Sequence, residues 1–211
     1  MGTSQASKAA THKQIVRVAA KRFRERGLEG IGIADIMTEA GVTVGGFYKQ
    51  FDSRDQLVCE ALLAAFSDYN VLGQGPDLLK EVEEYLSLEH RDRAGTGCAT
   101  GALLGAMAHA SASVREVYTS QIKKTLSAVA YSLSKDEADD TKADAFLLVC
   151  ALLGAINLAR AVNEPALSRE ILSRVATRLA GLFTPSDSAQ RQRPSEKKSG
   201  ARKPRTIKSS V

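Results

Sequence analysis

The chain has 211 residues, 44% of them hydrophobic, a length that fits one domain or a small and a larger one and an apolar content that supplies a sizeable core. No uninterrupted apolar run approaches the roughly 18 residues of a membrane span, the start MGTSQASKAATHK lacks the apolar region of a signal peptide, and Cys59, Cys98 and Cys150 are too widely spaced for a zinc pattern or a disulfide framework. These features predict a reduced, cytoplasmic protein without metal or cofactor.

The net charge of +5 divides unevenly. Residues 1–55 carry nine Lys/Arg against six Asp/Glu, residues 56–184 twelve against sixteen, and residues 185–211 eight against two. A basic unit at the start of a mildly acidic body fits contact with nucleic-acid phosphates at one end.

In chain order, residues 1–10 are small and polar and read as a flexible N-terminus. A helix is predicted from Thr11 to Gly27, with Ile15, Val18, Ala19 and Phe23 as its apolar stripe. Residues 33–51, IADIMTEAGVTVGGFYKQF, read as a helix, a turn at Gly41 and a second helix capped by Thr43. Val44, Phe47, Tyr48 and Phe51 fall three and four apart. Phe47 and Phe51 can therefore anchor the second helix while Thr43, Gly45, Gly46, Tyr48 and Lys49 face outward. Two short helices about a glycine turn form a helix-turn-helix, whose second helix enters the DNA major groove.

Asp52-Ser53 caps a helix over 54–69, which should couple this small unit to the rest. A break at 73–76, an acidic helix over 77–88, a charged loop over 89–97 and a small apolar segment over 98–112 follow. Helices are predicted over 114–133, 143–162 and 166–183, separated by an acidic turn at 136–140 and by Asn163-Glu164-Pro165. The 143–162 helix is apolar nearly all round and should be deeply buried. The organisation expected is all-α: a flexible start (1–10), a three-helix helix-turn-helix DNA-binding domain (11–55), a larger helical ligand-binding and dimerisation domain (56–184), and a disordered basic tail (185–211).

The opening helix with Phe23 and Gly27, followed by IADIMTEAGVTVGGFYKQFDSRDQLV at 33–58, resembles the TetR family of transcriptional regulators over nearly 50 residues. The resemblance implies a homodimer with two DNA-binding heads and a body that responds to a small-molecule effector. It implies repression from a palindromic operator and release by the effector. Carried onto this sequence, Thr43 looks like a phosphate or base contact. Val44, Gly45 and Gly46 occupy positions facing base edges, and Tyr48, Lys49 and Arg54 look like phosphate contacts. Relatives often carry Lys or Arg at the position of Val44, and a valine can touch a thymine methyl but cannot hydrogen-bond guanine. Little direct base readout is left, so shape readout and the N-terminal region should add specificity.

The last two long helices resemble the family's dimerisation pair, with Leu148, Leu152, Ile156, Leu172, Val175 and Leu179 as interface candidates. Phe66, Tyr69, Cys98, Met107, Cys150 and Asn157 are the effector-binding candidates, being reactive, polar or aromatic groups among apolar residues. His109 belongs with Cys98 and Met107 by segment. The Gly-Cys at 97–98 resembles a subgroup of the family, and a cysteine at a helix start can act as a thiolate, so an electrophile or oxidant is one candidate effector. The alternatives are a DNA-binding regulator without a small-molecule ligand and an enzyme. The three histidines (His12, His90, His109) are scattered and no phosphate loop follows a strand, which disfavours the enzyme.

Overall fold

The computed structural model describes residues 5–69, 72–73, 75, 77–133 and 139–183. The predicted tail 185–211 and most of the acidic turn lie outside the described residues. The described part is all-helical: α1 (Gln5–Arg26), α2 (Ile33–Glu39), a 3-10 recognition segment (Val44–Lys49), α3 (Arg54–Asp68), α4 (Leu78–Tyr85), α5 (Leu88–Asp92), a 3-10 turn (Ala94–Thr96), α6 (Ala99–Met107), α7 (Ala112–Leu133), α8 (Asp139–Ala161) and α9 (Pro165–Phe183).

Local chemistry sets most boundaries. Gly27 and Gly41 both sit at φ +75°, a left-handed conformation open to glycine without steric cost. After α2 the Gly41 amide donates to Thr38 O at 3.0 Å and the Val42 amide to Met37 O at 3.0 Å, the paired bonds that close a helix end on a glycine. Ser53 Oγ accepts from the Gln56 amide at 3.1 Å and caps α3, while Asp77 and Ser87 cap α4 and α5 in the same way.

Three elements differ from the sequence reading. First, α1 begins at Gln5, six residues before Thr11; residues 5–10 are helical but exposed, so no apolar stripe marks them. Second, the predicted helix after the turn is a 3-10 helix, with Gly46 N donating to Thr43 O and Gln50 N to Phe47 O at 2.9 and 2.8 Å. Two successive glycines lower α-helix propensity there. Third, the charged loop over 89–97 contains α5, whose cap Ser87 and five-residue length leave no readable period.

Two apolar clusters make up the core. One joins Ile15, Ala19 and Phe23 of α1, Ile36 and Met37 of α2, Phe47, Phe51, and Leu57, Ala61 and Phe66 of α3 to Leu103 of α6 and Tyr118 of α7. The other joins Val82 and Tyr85 of α4 to Leu148, Leu152 and Ile156 of α8 and Leu172 and Leu179 of α9. α3 thus couples the N-terminal unit to the body, as expected. On average composition α8 is apolar enough over Asp140–Ala161 to cross a membrane (mean hydropathy 1.7), and 44% of that window is buried within the protein. The expectation that α8 is buried all round is not met: Phe146, Leu147 and Leu158 are 56%, 52% and 58% exposed.

Gly73 differs from Gly27 in a way that stability measurements resolve. It lies at φ +72°, and an added Cβ would stand 2.6 Å from the Ala128 carbonyl carbon, whereas nothing lies within 4 Å of a Cβ at Gly27. Gly27→Ala should cost about 1 kcal/mol for the left-handed backbone alone. Gly73→Ala should cost roughly 1–3 kcal/mol more, because α7 backbone must move. Urea unfolding of both variants checks this, and equal losses would contradict it.

Candidate nucleic-acid interface

The helix-turn-helix is built as two apolar sides meeting around Phe47 and Phe51. These rings stack with centroids 5.5 Å apart, both 1% exposed, over the fully buried Met37. Their burial turns the opposite face of the recognition segment outward. Tyr48 is 77% exposed, Val44 is 48% exposed, and Thr43, Gly45 and Lys49 are exposed. Thr43 is the N-cap residue by backbone but makes no side-chain cap bond, which leaves its hydroxyl uncommitted. Nothing lies within 4 Å of a Cβ built on Gly45. Gly46 is half-buried against Thr43 and Met37.

Six of the seven residues singled out from the sequence therefore lie on one element and its cap. The seventh, Arg54, is turned inward. It donates to Leu28 O and to Glu29 Oε1, and its guanidinium lies 5.9 Å from the Phe23 ring centroid. The sequence pattern located Arg54 at the start of α3 but held no sign of the Leu28-Glu29 connector folding over it. Conversely, a notch of about 200 Å³ between α1 and the recognition segment brings Thr11 and Gln50 beside Thr43 and Lys49. The helical period of neither segment relates Thr11 or Gln50 to Thr43, so the sequence alone does not bring them together.

The recognition segment is held to the body through α1. Arg22 bonds Glu39 of α2 at 2.7 Å and Glu25 at 2.6 Å, and these contacts hold the Glu39 carboxyl below its ordinary range. At the other side His12 Nε2 meets Glu60 Oε2 of α3 at 2.5 Å, with the His12 ring stacked on Phe51 at 4.4 Å.

The six effector candidates do not converge on one cavity. Phe66 and Met107 are buried in the first core cluster, while Tyr69 and Cys98 belong to the second. Cys150 is exposed, and the Asn157 amide donates to Leu153 O at 2.7 Å within α8. His109 is exposed at the end of α6. Tyr69 and Cys98 do meet in a buried polar cluster that spacing alone does not reveal. His90 Nε2 accepts from the Cys98 amide at 3.0 Å, so its Nδ1–H donates to Tyr85 O at 2.6 Å. The His90 ring is stacked on Tyr69 at 5.0 Å and edge-on to Tyr85 at 4.6 Å. Cys98 is 8% exposed and caps α6, its sulfur accepting from the Gly101 amide at 3.4 Å. Around this segment three buried donors have no acceptor among the described residues: Tyr85 OH, Arg24 Nε and Arg160 Nη1. Arg24 reaches Gly97 O and Arg160 reaches His90 O, each one step from Cys98.

The interface candidates on α8 and α9 are also corrected in part. Leu148, Leu152 and Ile156 are fully buried, and Leu172 and Leu179 are 2% and 3% exposed, because they pack in the protomer's own core. Val175 is half-buried against it. The apolar side chains that α8 and α9 leave outside are Phe146, Leu147, Leu158, Leu167 and Leu182.

Residues 15–61 match the model of the bacterial regulatory proteins of the tetR family, which covers the whole helix-turn-helix and the start of α3. Residues 15–61 therefore carry the DNA-binding domain of the tetR family. It is 25% identical over 120 residues to the HTH-type transcriptional repressor KstR2 of Rhodococcus jostii (strain RHA1), a match spanning 54% of this chain and 59% of that repressor. Among solved structures, the reduced form of E. coli NemR superposes with a TM-score of 0.66 at 18% identity, covering 84% of this chain and 99% of that one. AibR in complex with isovaleryl coenzyme A and operator DNA superposes with a TM-score of 0.58 at 17% identity, covering 83% and 98%. These likenesses show the all-helical fold shared with those chains.

The buried histidine gives this fold a pH dependence. Burial holds the His90 imidazole below its ordinary value of 6.5. The unfolded chain takes up a proton as pH falls through about 6.5 while the folded chain resists it, so stability is complete above that value and declines as pH falls toward the folded value. The melting temperature of the wild type should drop between about pH 7 and pH 5. In His90→Gln, which keeps a donor and an acceptor without titrating, this part of the slope should vanish. An unchanged slope would contradict the assignment.

Proposed function

We propose that the protein is a cytoplasmic transcriptional repressor that binds a palindromic operator as a homodimer and is released by a small-molecule effector. The observation that carries the reading is the one-sided burial of the recognition segment. Phe47 is anchored, while Thr43, Val44, Gly45, Tyr48 and Lys49 are presented together. Such a surface offers two hydroxyls and an ammonium to phosphates and little to base edges, since Val44 reads only a thymine methyl. Gly45 and Gly46 let the backbone approach the groove floor, and operator shape then contributes to choice of site. Arg54 acts here by fixing the Leu28-Glu29 connector rather than by touching DNA.

Dimerisation uses the outer faces of α8 and α9, where Phe146, Leu147, Leu158, Leu167 and Leu182 lack cover in the protomer. Two heads about 34–36 Å apart would read successive turns of one DNA face. An effector acts by altering that separation, because a head displaced from its groove loses its contacts.

Gel shifts and footprints on the DNA flanking the protein's own gene test the reading. One dimer should protect one palindrome, and Thr43→Ala and Tyr48→Phe should each weaken binding roughly 10- to 150-fold, as expected for a lost hydrogen bond to a charged phosphate. Protection of no palindrome, or affinity unchanged in Thr43→Ala, Val44→Ala and Tyr48→Phe together, would overturn it.

A second reading puts the response on Cys98 itself. It is favoured by the three unpartnered donors around that segment, which an anionic oxidised sulfur would satisfy. Hydrogen peroxide should then release DNA from the wild type and leave Cys98→Ser bound. Equal release from both proteins would dismiss this role.

A further inference from the structure

One cavity bordered by described residues lies away from Cys98. It is a groove of about 680 Å³ between α3 and α7, lined by Leu63, Phe66, Ser67, Glu116, Val117, Ser120, Gln121 and Lys124. Its floor is apolar. Leu63 lies off the buried stripe of α3 and is 56% exposed, Phe66 is 7% exposed, and Val117 is half-buried. Its ends differ in chemistry. Toward the C-terminal end of both helices stand the Ser67 and Ser120 hydroxyls and the Lys124 ammonium, with the Gln121 amide engaged on Thr125 at 3.4 Å. At the opposite end stands Glu116. Neither Lys124 nor Glu116 has an ion-pair partner within 4 Å among the described residues. Their separation of eight positions spans about 12 Å of helix.

We infer that this groove is the effector site and that it takes an elongated apolar monoanion, its apolar body on Leu63, Phe66 and Val117 and its carboxylate or sulfonate at Lys124. Charge complementarity sets the orientation. Three donors gather at the Lys124 end, where an anion gains a charge-assisted bond and two hydroxyl bonds, while Glu116 repels it from the other end. The volume suits a small ligand whose apolar body lies on the groove floor. Occupation would act on the head mechanically: α3 packs against α1 along the first core cluster and faces α7 across the groove, so a ligand wedged there shifts α3 and carries α1 and the recognition segment with it. The inference rests on the reading of the chain as an effector-released regulator, but its binding arm is independent of DNA.

The test uses 8-anilinonaphthalene-1-sulfonate, an apolar two-ring body with one sulfonate, titrated by fluorescence into the full chain. One saturable site per chain is expected. Lys124→Glu and Leu63→Asp should each weaken it about tenfold or more, and Lys124→Gln should fall between wild type and Lys124→Glu. Leu88→Asp, on an exposed α5 position outside the groove, should bind as the wild type does. Circular dichroism confirms that each variant is folded. Wild-type affinity in both Lys124→Glu and Leu63→Asp, or equal loss in Leu88→Asp, would overturn the site. Saturating probe should also reduce the affinity for protected DNA in the wild type and not in Lys124→Glu. Probe binding confined to the groove with DNA affinity unchanged would overturn the effector role while leaving the DNA-binding reading intact. Failure to bind any palindrome would overturn that reading and leave the probe titration interpretable.

Discussion

The packing of α1 against α3 is the contact on which the rest of the molecule depends. Its middle is small and closely fitted, with Ala19, Ala20, Ala61 and Ala65 all at 2% exposure or less. Alanines at these positions let two helices approach closely, so the contact is rigid and sensitive to any added volume. Each end carries a polar tie: His12 to Glu60 at one, and Arg24 to the Ala65 carbonyl, at 3.5 Å, at the other. α1 in turn holds α2 through Arg22 and Glu39 and holds the recognition segment through His12 on Phe51. The outward-facing residues of the recognition segment therefore inherit their position from α3, and α3 packs in turn against α6 and α7.

Arg24 shows what kind of tie this is. The residue is 6% exposed, and it bonds the carbonyls of Ala65 and Gly97 at 3.5 and 3.4 Å without a carboxylate within 4 Å among the described residues. Burial accordingly pulls its guanidinium below the ordinary value, though far from deprotonation. A charge held this way contributes little to stability, because long bonds to neutral carbonyls do not offset the loss of water. What it does supply is connection: one side chain of the head senses both the end of α3 and the loop that starts α6. A shift of either carbonyl by a few tenths of an ångström changes how well the charge is satisfied.

Much of the head was legible because its signals are local. Gly41 had to adopt a positive φ, Ser53 had to cap α3, and Phe47 and Phe51 had to bury together, since each requirement falls within a few residues of sequence. The exposed face of the recognition segment follows from that burial by simple exclusion. The 3-10 geometry was less legible, since Gly45-Gly46 weakens an α-helix without specifying what replaces it. The partners of Arg54, Leu28 and Glu29, were not legible because they lie 25 or more residues away.

The body was legible as helices but not as a site, for a physical reason that α8 makes plain. A helix apolar on every face has no amphipathic phase, so periodicity cannot say that Leu148, Leu152 and Ile156 turn inward while Phe146, Leu147 and Leu158 turn out. That distinction depends on where α7 and α9 lie, which is tertiary information. The groove has the same origin. Leu63 reads as one more leucine on α3 until α7 is found beside it with Ser120 and Lys124 in place of apolar side chains. Had α7 carried leucines there, the two helices would close on each other as α1 and α3 do. α3 and α7 pack through Phe66 and Tyr118, and the polar Ser120 and Lys124 line a groove beside that contact, against the same helix that fixes the head.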